Sequence, residues 1–250
     1  MTIENTLAAH RFIPFDSKAA LEQALAASIA ANLSQALETH GRASIAVSGG
    51  STPKALFALL SQTELNWAAI DITLVDERWV EVDSDQSNQK MLAECLLINR
   101  AKAARFIGMK SKAADVNGGV SDYNAKLAND IKQPFDVVIL GMGPDGHTAS
   151  WFPDAAETPA ALDPQASSAS IATHPASQPM PRITLSFPPV AAAGQIYLHI
   201  TGEDKKQVLE HGLADGNGID NDNDNDNAIA LPIHHTLAQL TRAVDIYWAA

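Results

Sequence analysis

The run Gly141-Met142-Gly143-Pro144-Asp145-Gly146-His147 follows the apolar segment FDVVIL and sets an acid and an imidazole two residues apart in a glycine-rich loop. An unperturbed imidazole titrates near pKa ~6.5 and can take a proton from water at physiological pH, so His147 with Asp145 beside it reads as a general base. The run also fits GxGxxG. In the dinucleotide fold, however, the last glycine lies inside a helix, and Pro153 follows too soon to leave room for one. Of the eight histidines, His147 alone has such a setting: His10, His40 and His211 read as surface residues, His174 and His199 as strand positions, and His234-His235 as a helix opening.

Two further motifs stand at ends of apolar runs. In Ser48-Gly49-Gly50-Ser51-Thr52-Pro53, paired glycines let the backbone approach a ligand, while free N–H groups and hydroxyls at a helix start suit a phosphate; the plain alternative is a capped turn. No Walker pattern is present, because GxxxxGK[ST] is missing. In Val75-Asp76-Glu77-Arg78-Trp79, Arg78 offers a fork for an anionic group or a developing oxyanion, the alternative being an ion-pair network at a sheet edge. Arg182 in PRITLSF and Lys205 in TGEDKKQVL are the other cations of interest.

These residues need a scaffold that gathers loop ends. Apolar spacing predicts a long helix from Ser17 to Glu38 stopped by Gly41, then a strand, turn and helix through SIAVSGGSTP with Pro53 at the first helical position. Strands follow at Ile70 to Val75, Phe135 to Leu140, Ser170 to Thr173, Ile183 to Phe187, Gln195 to Thr201 and Ala243 to Trp248. Helices follow at Gln86 to Ile98, Gly118 to Ile131, Glu203 to Leu213 and His234 to Leu240. Fully apolar strands alternating with helices indicate an α/β fold, a mostly parallel sheet flanked by helices on both faces. The Pro-rich segment 153–181 reads as an ordered loop over the sheet end. A single domain over 1–250 is expected, because the closing strand needs the earlier ones as neighbours.

Composition excludes several function classes. With 17 Lys+Arg against 29 Asp+Glu the net charge is −12, which argues against nucleic acid and against an anionic membrane surface. No basic and apolar leader opens the chain and no apolar run reaches membrane-span length, so a soluble, cytoplasmic protein is expected. The lone Cys95, in MLAECLLI, excludes an intramolecular disulfide and reads as a buried structural thiol. The acidic tract Asp215 to Asn227 lacks the Gly and Glu of an EF-hand loop and reads as a solvated tip.

Taken in order, SGGSTP, VDERWV, LGMGPDGHTASWFP, PRITLSF and TGEDKKQVL resemble the 6-phosphogluconolactonases, relatives of the glucosamine-6-phosphate isomerases/deaminases. The match runs from about Ser44 to Glu210, supported by LPI and a terminal strand. The resemblance implies a Rossmann-like single α/β domain that hydrolyses 6-phospho-D-glucono-1,5-lactone to 6-phosphogluconate in the oxidative pentose phosphate pathway. It implies no metal or organic cofactor, a phosphorylated sugar lactone as the small-molecule partner, and a monomer or small homo-oligomer. By position it assigns the phosphate to the turn Ser48, Gly49, Gly50, Ser51 and Thr52 with Arg182 and Lys205. It makes His147 the base, with Asp145 and Arg78 in the same pocket, and leaves Asp76 to hold Arg78 or a sugar hydroxyl. The deaminases share GxGxDGH but carry an acid where Phe152 stands and an aromatic residue at the place of Arg78, so both departures favour the lactonase. Three alternatives remain open: a sugar-phosphate isomerase or deaminase, a non-catalytic sugar-phosphate sensor, and an esterase with Ser48 as nucleophile in a degenerate elbow, Ala46-Val47-Ser48-Gly49-Gly50.

Overall fold

The computed structural model describes residues 9–214 and 231–250, so the acidic tract at 215–227 lies outside the described residues, as does the side chain of His211. The chain opens with strand β1 (Arg11–Phe15) and helix α1 (Lys18–His40). Ser17 caps that helix by accepting from the Ala20 N–H, Gly41 ends it at φ 70°, and Leu21, Leu25, Ile29 and Leu33 bury one face. Next come β2 (Ala43–Val47), α2 (Lys54–Gln62), β3 (Ile70–Leu74), β4 (Asp76–Arg78), α3 (Asn88–Cys95), β5 (Arg105–Phe106), α4 (Val116–Asp130) and β6 (Val137–Leu140). A short α5 (Thr158–Ala161), β7 (Ser170–Thr173), β8 (Arg182–Leu185) and α6 (Phe187–Ala191) precede β9 (Gln195–Thr201) and α7 (Glu203–Ala214). Helix α8 (Pro232–Gln239) and β10 (Asp245–Ala249) close the described chain.

Seven strands form one parallel sheet in the order β1-β10-β9-β6-β2-β3-β5. Strands β2, β3, β6 and β10 are buried at every position, as expected where both faces of a parallel sheet are covered. The chain runs outward from β2 through β3 to β5, then returns to β6 on the other side of β2 and runs outward again through β9 and β10. The order therefore reverses between β2 and β6. Outside the carboxyl ends of those two strands a crevice must open, because their following loops leave in opposite directions.

Several expectations need correction. Strand β1 escaped the sequence reading because Pro14 interrupts it, which an edge strand tolerates and a central one does not. The strand expected at Ile183 to Phe187 ends at Leu185, since Pro188 and Pro189 favour the first turn of α6. Pro53 is the residue before α2, not its first residue. His10 is buried, accepting from the Val244 N–H at Nδ1 and contacting the Leu237 carbonyl at Nε2, 3.0 Å each. Cys95 is half-buried at the end of α3. No described helix is long and apolar enough to cross a membrane.

A second, three-stranded antiparallel sheet, β4-β8-β7, was not anticipated. Its strand β4 is the charged triplet Asp-Glu-Arg, which carries no apolar alternation to signal a strand. Period-two geometry places Asp76 and Arg78 on one face and Glu77 on the other. Glu77 is 1% exposed. Its carboxylate accepts from the N–H groups of Arg78, Asn88 and Gln89 (2.8 Å each) and from the Ser87 hydroxyl (3.0 Å), capping α3 from outside the helix. Burial pushes this carboxyl up from its ordinary value, opposed by those hydrogen bonds. Glu77→Ala would strand four donors, and urea unfolding should show a loss of roughly 2–4 kcal/mol, with part restored by Glu77→Gln. An unchanged midpoint would contradict this role.

Candidate active site

A cavity of about 220 Å³ occupies the crevice. Ser48, just past β2, bridges its two edges: its hydroxyl donates to the Ile139 carbonyl (3.0 Å) and accepts from the Gly141 N–H (3.1 Å). Beyond it the chain turns through Gly50 at φ 94°, a conformation costly for residues with a Cβ. At Gly49 a Cβ would lie 2.0 Å from the Asn88 amide oxygen, so only glycine lets the turn pass this side chain. The N–H groups of Gly49, Gly50, Ser51 and Thr52 donate to nothing among the described residues. All four residues line the cavity, a constellation suited to an anion.

The loop after β6 supplies the imidazole. Asp145 Oδ1 lies 2.5 Å from His147 Nδ1 and 3.2 Å from the His147 N–H. The ring stacks on Phe152 with centroids 4.0 Å apart and planes inclined by 22°. Hydrogen bond and stack together fix the ring, and His147 lines the cavity while Asp145 stands behind it. Burial acts to raise the Asp145 carboxyl, but the hydrogen bonds and charge of His147 prevail and hold it below its ordinary value. A Cβ on Gly143 would meet the imidazole at 2.2 Å. Ala149 at φ 51° and a bridge between Thr148 and Trp151 complete a tightly wound loop.

The antiparallel sheet supplies two arginines. Arg78 and Arg182 stand directly opposite each other in register, a like-charge pairing that is unfavourable by itself. Asp76 offsets it: one oxygen accepts from the Ser150 hydroxyl (2.5 Å) and lies 3.6 Å from Arg182 Nη1, and the other accepts from the Asn88 amide (3.4 Å). Asp76 therefore holds Arg182 and not Arg78, whose Nη1 donates to the Gln86 carbonyl (2.8 Å). The Nε atoms of both arginines are buried without a partner. The Arg182 guanidinium carbon lies over the Phe152 ring, 4.9 Å from its centroid. Burial lowers the Arg182 guanidinium from its ordinary value, Asp76 opposing and Arg78 adding to the effect. Burial likewise lowers Lys205, near the start of α7, which makes no ion pair among the described residues.

Every residue that the sequence singled out lines this cavity except Asp145, which reaches it through His147. Sequence reasoning missed Asn88, which shapes the turn, and the site role open to His199, which stands in β9 as expected but also lines the cavity. The spacing of Asn88 after a Ser cap carried no chemical signal. His199 interrupts an otherwise apolar strand, and that interruption was the available clue. Among the described residues no three His, Cys, Asp or Glu side chains gather as metal ligands do.

An open parallel sheet with an anion-suited crevice at its reversal point, a loop imidazole and desolvated cations defines a class: the Rossmann-like α/β proteins with a small-molecule crevice at the switch point of the sheet. The chain belongs to the glucosamine-6-phosphate isomerase/6-phosphogluconolactonase family, whose model matches residues 16–240. It is 39% identical over 235 residues to a 6-phosphogluconolactonase of Rhizobium meliloti (strain 1021), covering 94% of this chain and 97% of that one. A 6-phosphogluconolactonase of Neisseria meningitidis serogroup B (strain ATCC BAA-335 / MC58) is 40% identical over 207 residues, 81% of this chain and 88% of that one. The crystal structure of a 6-phosphogluconolactonase from Shewanella baltica OS155 superposes with TM-score 0.87 at 44% identity, covering 96% of this chain and 98% of that one. A monomeric glucosamine-6-phosphate deaminase shares the fold alone, at TM-score 0.73 and 15% identity. Gly143→Ala should push the imidazole aside and lower kcat on a phosphorylated lactone by roughly 10²-fold while leaving the unfolding midpoint nearly unchanged. Parental kcat in that variant would show that the ring needs no such clearance.

Proposed function

We propose that this chain hydrolyses 6-phospho-D-glucono-1,5-lactone to 6-phosphogluconate, as the names of its relatives suggest, and that His147 activates the attacking water. The observation that carries the reading is one cavity holding an oriented imidazole, four unpartnered N–H groups and three cations, of which Arg78 and Lys205 make no ion pair among the described residues while Arg182 has Asp76 beside it. With Asp145 ionised, Nδ1 is the donor to it, which leaves Nε2 as the acceptor able to take a proton from water. Water oxygen then bonds to C1 of the lactone. The carbonyl becomes an oxyanion, met by the unpartnered Nε of Arg78 or by loop N–H groups. Collapse breaks the bond from C1 to the ring oxygen, which leaves with the proton that His147 took up. The substrate phosphate occupies the Ser48 to Thr52 turn with Arg182 and Lys205.

The geometry disfavours the esterase alternative. The Ser48 hydroxyl is engaged by Ile139 and Gly141, so it is not poised for attack, and it has no hydrogen bond to His147. The deaminase alternative loses support at Phe152, where an apolar ring packs on the imidazole in place of an acid. A place in the oxidative pentose phosphate pathway and a cytoplasmic location follow from this reading of the substrate.

The test generates the lactone in situ with a glucose-6-phosphate dehydrogenase and reads product through a 6-phosphogluconate dehydrogenase, with and without the protein. Acceleration over spontaneous opening is expected. His147→Ala should lower kcat by roughly 10²–10⁴ with 6-phosphogluconate binding retained. Near-parental turnover in that variant would sink the mechanism, and ammonia release from glucosamine 6-phosphate without lactone opening would select the deaminase.

The lowered Lys205 gives a second prediction. Because burial disfavours its ammonium, the charge is present at low pH and is lost, as pH rises, before that of an ordinary lysine. KM should therefore climb on the alkaline side, and Lys205→Arg should keep it flat to higher pH. Identical alkaline profiles for parent and variant would remove Lys205 from phosphate binding.

A further inference from the structure

Helix α1 meets β9 and β10 through a row of polar pairs. Ser28 bonds the Tyr247 hydroxyl (2.8 Å) and Asn32 bonds the Tyr197 hydroxyl (2.5 Å), so both of these contacts are satisfied. The third pair, Glu22 with His199, is not. Its Oε1 to Nε2 distance is 3.2 Å, yet neither ring nitrogen has a well-directed hydrogen bond, and Glu22 Oε2 is also unpartnered. His199 is 3% exposed and Glu22 5%. A buried carboxylate and imidazole left so poorly satisfied cost stability that an apolar pair of the same volume would not. This pair sits where the row reaches the carboxyl end of β9, and there His199 lines the same cavity as Lys205 and the Ser48 to Thr52 turn.

We propose that His199 is a further ligand of the substrate's phosphate, with Glu22 as its positioning residue. When the phosphate binds, Nε2 and the Glu22 carboxyl, 3.2 Å apart, close into a hydrogen bond that fixes the ring, and the Nδ1 N–H donates to a phosphate oxygen beside Lys205. The unmet hydrogen bonds of the unliganded pair are then completed by substrate. Glu22 touches no substrate and acts only through the ring, while Lys205 supplies charge with no acid opposite it. The inference rests on the phosphorylated-lactone reading for its ligand, although any phosphomonoester seated in the turn would meet the same nitrogen.

The experiment compares the parent with His199→Leu, His199→Asn and Glu22→Gln. Lactone kinetics are measured in the coupled assay and 6-phosphogluconate is titrated by calorimetry. His199→Leu and His199→Asn should each raise KM and Kd by roughly 10-fold or more with kcat within about threefold, and Glu22→Gln by less. In the parent, the His199 imidazole ¹⁵N resonances should shift on addition of 6-phosphogluconate. Parental KM and Kd in both His199 variants that fold, or resonances unmoved by 6-phosphogluconate, would overturn the proposal. A parent that opens no lactone would instead overturn the enzymatic reading, and the titration would still decide whether His199 meets the phosphate.

Discussion

Strands β2 and β6 lie side by side, but the chain departs from them in opposite directions, and the rest of the site depends on that divergence. Backbone N–H groups at the end of β2 find no neighbouring strand to bond, so they stay free to face a ligand. The Ser48 hydroxyl prevents the crevice from opening too far, joining Ile139 and Gly141 across it. Two glycines then set how close the loops come to their neighbours. Gly49 passes the Asn88 amide and Gly143 passes the imidazole at distances that no side chain would permit. The crevice is thus a consequence of strand order, and its lining a consequence of where a Cβ is missing.

The second constraint is electrostatic. In a protein of net charge −12, a site for an anion needs a local concentration of cations, and Arg78, Arg182 and Lys205 meet in one cleft. Arg78 and Arg182 oppose each other across β4 and β8, with Asp76 compensating one of them. Phe152 joins the two halves of the site, stacking on His147 and lying beneath Arg182, so the imidazole and the guanidinium share one rigid apolar support. An anion in this cleft would relieve the repulsion between the arginines.

Much of this was legible in the chain because glycine, proline and charge at strand ends carry local meaning. SGGSTP, VDERWV and GMGPDGH each marked the carboxyl end of a sheet strand, and the apolar runs between helices marked the sheet itself. What could not be read depends on contacts distant in sequence. The partner of Asp76 is set by the pairing of β4 with β8, more than a hundred residues apart, and β4 has no apolar residue to announce it. His10 looked exposed because its two partners, Leu237 and Val244, lie at the far end of the chain. Asn88 and His199 gained their significance only when helix and strand packed beside the turn. The acidic tract at 215–227 carries five of the negative charges and lies outside the described residues.

The central claim is that this crevice recognises its ligand through a phosphate. Calorimetric titration of the protein with 6-phosphogluconate and, separately, with D-gluconate tests it directly, since the two differ only in that group. The account predicts binding of 6-phosphogluconate at least roughly 100-fold tighter, the equivalent of two or so charge-assisted hydrogen bonds. Equal affinities for the two acids would contradict it.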